Sequence, residues 1–216
     1  MITLLFMEIE DHSDTRIIDV LLPLISVEKQ QQISSMRFCV DRKLKVYADI
    51  LLRSKACESL KLRNQDLRFS QNSFGKPYLL NDPSFHFNIS HTRNALVVGL
   101  SAYPVGVDIE KMNPADPRVA RKVFTDNEFD YVFGEEINQD RRFNEIWTKK
   151  ESYAKWIGEG WSSDAAVTDV LCDPVCTQMI TAEIRQYTIS AYSIHLNNEV
   201  NIVEVQEKDL LQIIGK

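Results

Sequence analysis

Three acidic side chains and a lysine, carried by two stretches of the chain, have the types and spacing to bind a metal ion and to move a proton. The first stretch, Phe143–Lys155, has no Pro or Gly and is rich in helix formers, so it predicts a helix. Residues four apart stack on one helix face, which places Trp147, Glu151 and Lys155 in a single row. Such a Glu–Lys pair is commonly only a surface ion pair, so the row alone assigns no chemistry.

The second stretch, Val105–Lys111, alternates apolar and polar residues and predicts a strand. The alternation puts Asp108 and Glu110 together on the face opposite the apolar residues. Neighbouring carboxylates repel each other unless a cation or a proton lies between them. Together with Glu151 they would supply three oxygen ligands, which suits Mg²⁺ shared with substrate phosphates. On this stretch alone, an edge strand that carries two solvated acids is an equal alternative.

A third stretch, Asn88–His91 (Asn-Ile-Ser-His), precedes these two in the chain. In this order and at these spacings, the three stretches resemble the 4′-phosphopantetheinyl transferases, and most of all the two-lobed, monomeric Sfp type. The resemblance runs from about residue 4 to about residue 205. It implies a holo-carrier-protein synthase, which transfers 4′-phosphopantetheine from coenzyme A to a serine of an apo acyl or peptidyl carrier protein and releases adenosine 3′,5′-bisphosphate.

The resemblance also implies a role for each residue of the acidic set. Asp108, Glu110 and Glu151 would bind Mg²⁺, or alternatively Mn²⁺, which would bridge the pyrophosphate as a Lewis acid. Glu151 would in addition be the general base for the serine hydroxyl. Lys155 would stabilise the charge on the departing bisphosphate.

Coenzyme A carries three phosphate groups, so the resemblance implies that several cations converge on it. The residues expected to bind it are Lys29, Lys43, Lys45, Lys76, Ser90, His91 and Lys150. Lys76 lies in a Gly-Lys-Pro motif, and His91 would donate to the 3′-phosphate. Where relatives carry an arginine for that phosphate, this chain has Leu44 between two lysines, so we expect more tolerance of dephospho-coenzyme A. For Lys150, snorkelling along its own helix is an equal alternative.

Docking of an acidic carrier protein would require a local basic patch on this net acidic chain. Arg118, Arg121 and Lys122 lie three and four positions apart, so on a helix they form one basic face. Phe124 follows them and could contact the partner. A solvated helix with its own core face is the alternative interpretation.

The composition excludes several other classes of function. Lys and Arg number 25 against 31 Asp and Glu, a net charge of −6 that disfavours non-specific nucleic-acid binding. No apolar run approaches membrane-spanning length, and the N-terminus does not read as a signal peptide. The four cysteines show no zinc or disulfide pattern, so we expect reduced thiols in a cytoplasmic protein.

The remaining pattern predicts an α+β fold. The main predicted elements are helices at Val40–Leu60 and after a capping box at Thr125, and strands at Phe85–Ser90, Ala95–Ala102, Ile180–Ile189, Ala191–Leu196 and Val200–Val205. Pro104 marks a boundary between an N-terminal lobe, 1–103, that would contribute to coenzyme A binding and a C-terminal lobe, 104–216, with the metal-binding and catalytic residues. The resemblance implies that the lobes are related by a pseudo-twofold axis, that each packs an antiparallel sheet with a long helix, and that the active site lies in the cleft between them.

Two other functions are compatible with parts of this pattern. A non-catalytic module could bind coenzyme A or a carrier protein, although pure binding requires no general base. A metal phosphodiesterase could hydrolyse coenzyme A with water in place of the serine. Release of product without a carrier protein would separate hydrolysis from transfer.

Overall fold

A computed structural model of the chain describes residues 1–9, 16–161, 163–196 and 199–214. The helices are α1 (Arg16–Leu21), α2 (Val27–Ser34), α3 (Cys39–Leu60), α4 (Pro117–Val123), α5 (Asp126–Phe133), α6 (Gln139–Ile157), α7 (Ser163–Val167) and α8 (Glu207–Ile214). The strands are β1 (Ile2–Glu8), β2 (Phe69–Gln71), β3 (Pro77–Leu79), β4 (His86–Thr92), β5 (Ala95–Ser101), β6 (Gly106–Lys111), β7 (Met179–Ile184), β8 (Tyr187–Tyr192) and β9 (Val200–Glu204). This mixture of elements confirms the predicted α+β class.

The strands form two sheets and a short hairpin. The larger sheet has the order β4-β5-β1-β9 and contacts the long helix α3, and the smaller has the order β6-β8-β7 and contacts the long helix α6. The neighbouring strands are antiparallel except for β9, which runs parallel to β1. Because β9 and α8 pack on β1 and α3, the end of the chain returns to the first sheet. The lobe boundary at Pro104 stays a prediction.

The caps of the helices follow the sequence signals. The Ser26 side chain accepts from the backbone of Lys29 at the start of α2, and Thr125 with Glu128 forms the predicted capping box of α5. The helix predicted for Phe143–Lys155 is confirmed as part of α6. It ends at Gly158, which adopts φ 77° in the left-handed region that glycine tolerates.

The strand boundaries in the C-terminal half differ from the prediction. The strand predicted for Ile180–Ile189 is instead a hairpin of β7 and β8, and the next predicted strand, Ala191–Leu196, is the end of β8 followed by a turn. The hairpin turns at Arg185, which adopts φ 55°, without the Gly or Asn that usually marks such a turn. Ion pairs from Arg185 to Glu8 and Glu204 anchor the turn, and these tertiary contacts leave no local sequence signal.

Helix α6 lies so close to β6 that only glycine fits at one point of contact. A Cβ on Gly106 would stand 2.0 Å from the carbonyl oxygen of Ser152. The buried face of α6 includes Ile146 and Ala154, which are 0% and 2% exposed. This close approach sets the row that was predicted on α6 against the acids of β6. Within the described ranges, no helix is both long and apolar enough to cross a membrane.

Candidate active site

The polar face of β4 meets the edge strand β6 of the other sheet. Three hydrogen bonds join them: Val107 N donates to Asn88 Oδ1 at 2.9 Å, Ser90 Oγ to Asp108 Oδ1 at 2.7 Å, and Thr92 Oγ1 to Glu110 Oε2 at 2.9 Å. The β4 residues alternate, as expected for one face of a strand. The Asn-Ile-Ser-His motif and the acidic motif are therefore parts of one site.

Asp108 is the centre of the site. Lys155 Nζ lies 2.5 Å from Asp108 Oδ1 and 2.7 Å from Ser90 Oγ, so the three side chains form a triangle. Asp108 is only 3% exposed, and its second oxygen, Oδ2, is buried without a hydrogen-bond partner among the described residues. A buried carboxylate oxygen without a partner is costly, and a bound cation would satisfy it.

An indole accompanies each of the two glutamates of the set. Trp161 Nε1 donates to Glu151 Oε1 at 2.9 Å, and the indole of Trp147 partly offsets the upward shift in the pKa of Glu110. Burial, and then the negative charge of Asp108, raise the pKa of Glu110 and also the pKa of Glu151 above their ordinary value. Since both pKa values respond to Asp108, the three carboxylates share one electrostatic environment.

This environment fits a divalent cation, but the three carboxylates are not arranged as a complete set of metal ligands. The donors are all carboxylate oxygens, which Mg²⁺ prefers, and their mutual repulsion would be relieved by such an ion. Among the described His, Cys, Asp and Glu side chains, no group of three or more already stands in position to hold a metal ion. Asp108 Oδ1 instead forms an ion pair with Lys155 Nζ.

Cationic side chains gather beside this centre. Burial, followed by the charges of Lys45 and Lys155, lowers the pKa of His91, and burial followed by the charge of Lys29 lowers the pKa of Lys45. Lys29 Nζ is anchored at 2.6 Å to Asp49 Oδ1. His91 lies within β4 opposite Leu96, whereas the predicted strand ended one residue earlier, at Ser90. Cations that repel one another in this way favour a bound anion.

Lys76, in the loop between β2 and β3, contacts the end of helix α6 rather than pointing into solvent. Its Nζ donates to the carbonyl oxygen of Trp156 at 3.0 Å, and the neighbouring Asn72 Nδ2 donates to the carbonyl oxygen of Gly158 at 2.9 Å. Both acceptors lie at the C-terminal end of α6, where carbonyl groups lack partners within the helix. Burial lowers the pKa of Lys76 to about 8.

The structure corrects the expected role of Lys150. This lysine is 0% exposed and pairs with Glu128, also 0% exposed, at 2.9 Å. Its ammonium group donates further to the carbonyl oxygens of Ala166 and Thr168. An ammonium group has three donors, and all three have partners here, so Lys150 does not snorkel and presents no free donor to a phosphate in this structure.

Near the start of α3, the structure buries two of the three residues around the position where relatives carry arginine. Lys43 is 2% exposed and faces Glu207 of α8 at 3.7 Å, so it does not reach the cationic group. Leu44, at the position where the relatives carry arginine, is 2% exposed in the core of the first sheet. A side chain in this orientation points into the core, so the position of Leu44 offers no contact to a phosphate. Lys45 alone of the three faces Lys29 and His91.

The predicted basic face lies on the surface of α4. Arg118 is 87% exposed and pairs with Asp116 at 2.9 Å. Arg121 lies 4.2 Å from the centre of the Phe129 ring, and Lys122 is exposed. Phe124 is only partly buried and packs on Phe143 at 5.3 Å between ring centres. Nothing in these contacts identifies a partner, so docking stays a prediction.

Sequence reasoning missed two residues of the site. Thr92 continues the alternation of Asn88 and Ser90, and a strand extended by two residues would have included it. Trp161 follows Gly158 and Gly160 beyond the helix, and no periodicity links it to Glu151.

Comparison with known proteins places both halves of the chain in one group. The profile described as the 4′-phosphopantetheinyl transferase superfamily matches residues 104–206, and the one described as the N-terminal region of 4′-phosphopantetheinyl transferase matches residues 13–103. The transferase gsp of Aneurinibacillus migulanus is 34% identical over 161 residues, 74% of this chain and 67% of that protein.

More distant relatives carry similar descriptions. The 4′-phosphopantetheinyl transferase Sfp of Bacillus subtilis is 32% identical over 142 residues, which are 65% of this chain and 63% of Sfp. The L-aminoadipate-semialdehyde dehydrogenase-phosphopantetheinyl transferase of Rattus norvegicus is 31% identical over 63% of this chain and 49% of that protein. The match thus spans about two thirds of these bacterial relatives and half of the rat protein.

Proposed function

The chain belongs to the 4′-phosphopantetheinyl transferase superfamily and to its Sfp type, and we propose from this premise that it transfers 4′-phosphopantetheine from coenzyme A to a serine of an apo carrier protein. The observation that carries the proposal is the triangle of Asp108, Ser90 and Lys155 beside Glu110 and Glu151. A non-catalytic binding module is not favoured, because binding alone does not require a cluster of acids with a lysine bound to its central aspartate.

In this proposal Asp108, Glu110 and Glu151 hold Mg²⁺, with Mn²⁺ as an alternative. The free Oδ2 of buried Asp108 and the raised pKa of each glutamate support the assignment. The bound ion would supply Lewis-acid stabilisation of charge on the pyrophosphate oxygens.

In this proposal one residue removes the proton from the serine, and another stabilises the charge on the leaving group. Glu151 takes the proton from the serine hydroxyl. The serine oxygen forms its bond to the phosphorus that carries pantetheine, and the phosphoanhydride bond to the adenosine bisphosphate breaks. Lys155 stabilises the charge on the departing oxygen, and Ser90 positions its ammonium group.

The cations beside the acidic centre bind the nucleotide phosphates in this proposal. His91, Lys45 and Lys29 are assigned to the 3′-phosphate side, because the pKa shifts of the first two show that their charges face one another. Lys76 is assigned to the remaining adenosine phosphates. To reach them its ammonium group would release the Trp156 carbonyl.

Intact-protein mass spectrometry tests the proposal. Apo carrier proteins of the peptidyl, acyl and fatty-acid types are incubated with the protein, coenzyme A and Mg²⁺. We expect a mass gain of one phosphopantetheine, lost with a chelator and in Glu151→Ala. Cleavage of coenzyme A without any carrier would instead support a phosphodiesterase, and tight coenzyme A binding with no gain on any carrier would support a binding module.

The acidic centre predicts how pH controls the response to metal. Because folding raises the pKa of Glu110 and Glu151 above 4.5, the protonated forms are favoured in the fold, and the free energy of unfolding falls as the pH rises through the raised values. Mg²⁺ should reverse this loss once both are ionised. We expect a larger rise in Tm with Mg²⁺ at pH 7.5 than at pH 5, measured by calorimetry. A rise in Tm with Mg²⁺ in Asp108→Asn that matches the wild-type rise at each pH would contradict the assignment.

The cationic group predicts discrimination between coenzyme A and dephospho-coenzyme A. Replacing His91 or Lys45 by alanine should weaken coenzyme A binding about tenfold, the effect of one charge-assisted hydrogen bond, and should leave dephospho-coenzyme A binding unchanged. Isothermal titration calorimetry measures both. Lys55→Ala on the same helix as Lys45 is the control, because Lys55 pairs with Glu58 at 2.7 Å on the surface. An equal loss for both ligands would remove these residues from the 3′-phosphate.

The basic face of α4 predicts a charge-dependent step in carrier docking. Arg121→Glu should raise the KM for an acidic carrier about five- to tenfold and leave kcat unchanged, with an effect that shrinks as salt is added. Lys55→Glu makes the same change of net charge elsewhere on the surface and should leave KM unchanged. Steady-state kinetics at low and high salt measure the difference. An unchanged KM in Arg121→Glu would remove this face from docking.

A further inference from the structure

Trp161 holds a position that the local chain direction does not explain. It lies ten residues after Glu151, and a continuous helix would separate the two by roughly 15 Å along its axis. Instead its indole nitrogen is 2.9 Å from Glu151 Oε1. The chain reverses at Gly158 and Gly160, which adopt φ 77° and 69°, values that side-chain-bearing residues rarely adopt. Two glycines are therefore used to bring this indole back over α6.

The returning indole rests on an aromatic stack. Its ring lies 6.0 Å from the ring of Trp147, which in turn stacks on Phe143 at 6.3 Å with an interplanar angle of 11°. Trp147 and Glu151 are one turn apart on the same helix face, so Trp161 contacts one with its ring and the other with its N–H. The stack restrains the direction in which the N–H points.

An indole N–H is suited to orient a carboxylate without competing with it. It donates one hydrogen bond, has no acceptor lone pair on the nitrogen and does not ionise at neutral pH. A carboxylate has about four lone-pair sites, so one bond to Oε1 leaves the others for a cation or for the serine proton. Trp161 is 41% exposed, so part of its ring faces solvent.

We infer that Trp161 is a positioning residue, which orients the Glu151 carboxylate through its indole N–H. The inference rests on the proposed function, since it assigns the supporting partner of the proposed base and metal ligand. Residues that hydrogen-bond to a metal ligand typically change metal affinity or activity 10- to 100-fold when they are removed, so an indirect contact of this kind can have a large effect.

Trp161→Phe is the decisive variant, because it removes the N–H and keeps a ring against Trp147. For Mn²⁺ binding to the coenzyme A complex, we expect about tenfold weaker affinity, and for transfer about tenfold lower kcat at an unchanged carrier KM. Trp156→Phe is the matched control. Trp156 lies near the end of α6, and its indole Nε1 has no hydrogen-bond partner among the described residues. In this variant, the Mn²⁺ affinity and kcat should stay within about twofold of wild type.

A fluorescence measurement tests the contact independently of transfer. Glu151→Ala should shift the tryptophan emission in the wild-type background, and the shift should be absent in the Trp161→Phe background. If the wild-type protein transfers nothing to any carrier, the proposed function fails, while the emission and Mn²⁺ measurements still decide the role of Trp161.

Two results would overturn the inference. The first is wild-type Mn²⁺ affinity and kcat in Trp161→Phe, together with an emission shift that survives that substitution. The second is a raised carrier KM in Trp161→Ala while Trp161→Phe behaves as wild type, which would assign the exposed ring to partner contact instead.

Discussion

Replacing Glu151 by glutamine is expected to lower kcat for carrier modification about a thousandfold, within the range that a general base contributes. Glutamine keeps the length of the side chain, and its amide oxygen can still accept from Trp161. It cannot take the serine proton, and a neutral amide is a poorer ligand for Mg²⁺. Coenzyme A affinity measured without metal should change little, because the cations that are proposed to bind it are untouched.

The matched control for this variant is Glu145→Gln on the same helix. Glu145 accepts from Tyr131 OH at 3.0 Å and from Lys149 Nζ at 2.6 Å, which are contacts remote from Asp108. Its kcat should stay within about threefold of wild type, since it removes only a peripheral ion pair. The measurement is the rate of mass gain on a saturating apo carrier. A Glu151→Gln enzyme that retained a tenth of the wild-type kcat would exclude Glu151 as the base.

Replacing Lys150 by methionine is expected to lower the free energy of unfolding by about 3–5 kcal/mol, the cost of leaving one partner of a buried ion pair uncompensated. Domains of this kind have about 5–15 kcal/mol in total, so the loss is severe. Glu128 would remain at 0% exposure, with backbone donors from Thr125 and Val170 but no counter-ion. Urea denaturation followed by circular dichroism measures the change.

Two further variants separate this loss from a general effect of substitution. Lys149→Met removes a partly exposed pair with Glu145 and should cost about 0.5 kcal/mol. Lys150→Met combined with Glu128→Gln should recover part of the loss, because no unpaired charge remains buried. Unchanged stability in Lys150→Met, with weaker coenzyme A binding, would return Lys150 to the phosphate site.

Local patterns accounted for much of the fold. The hydroxyl caps at Ser26 and Thr125, the glycine that ends α6 and the alternation of β4 and β6 are all short-range signals, and each marks the element that forms. The Arg185 turn carried no such signal, because ion pairs to residues distant in the chain hold it. Strand boundaries were wrong where long-range contacts, and not local preference, decided the turn.

The sequence by itself determined which side chains of the acidic centre share a face, since helical and strand periodicity decide this. It placed Glu151 with Lys155, and Asp108 with Glu110, and the resemblance to one family joined the two pairs. Only the tertiary structure decided which faces are covered by other elements. Lys150 and Lys45 are both lysines on long helices, yet the first is enclosed by α5, by α7 and by Thr168 just after it, whereas the second faces His91. Periodicity gives the direction of a side chain within its own element, whereas burial and ion pairing depend on neighbours from distant parts of the chain. Trp161 is an example, because the turn at two glycines returns it to Glu151.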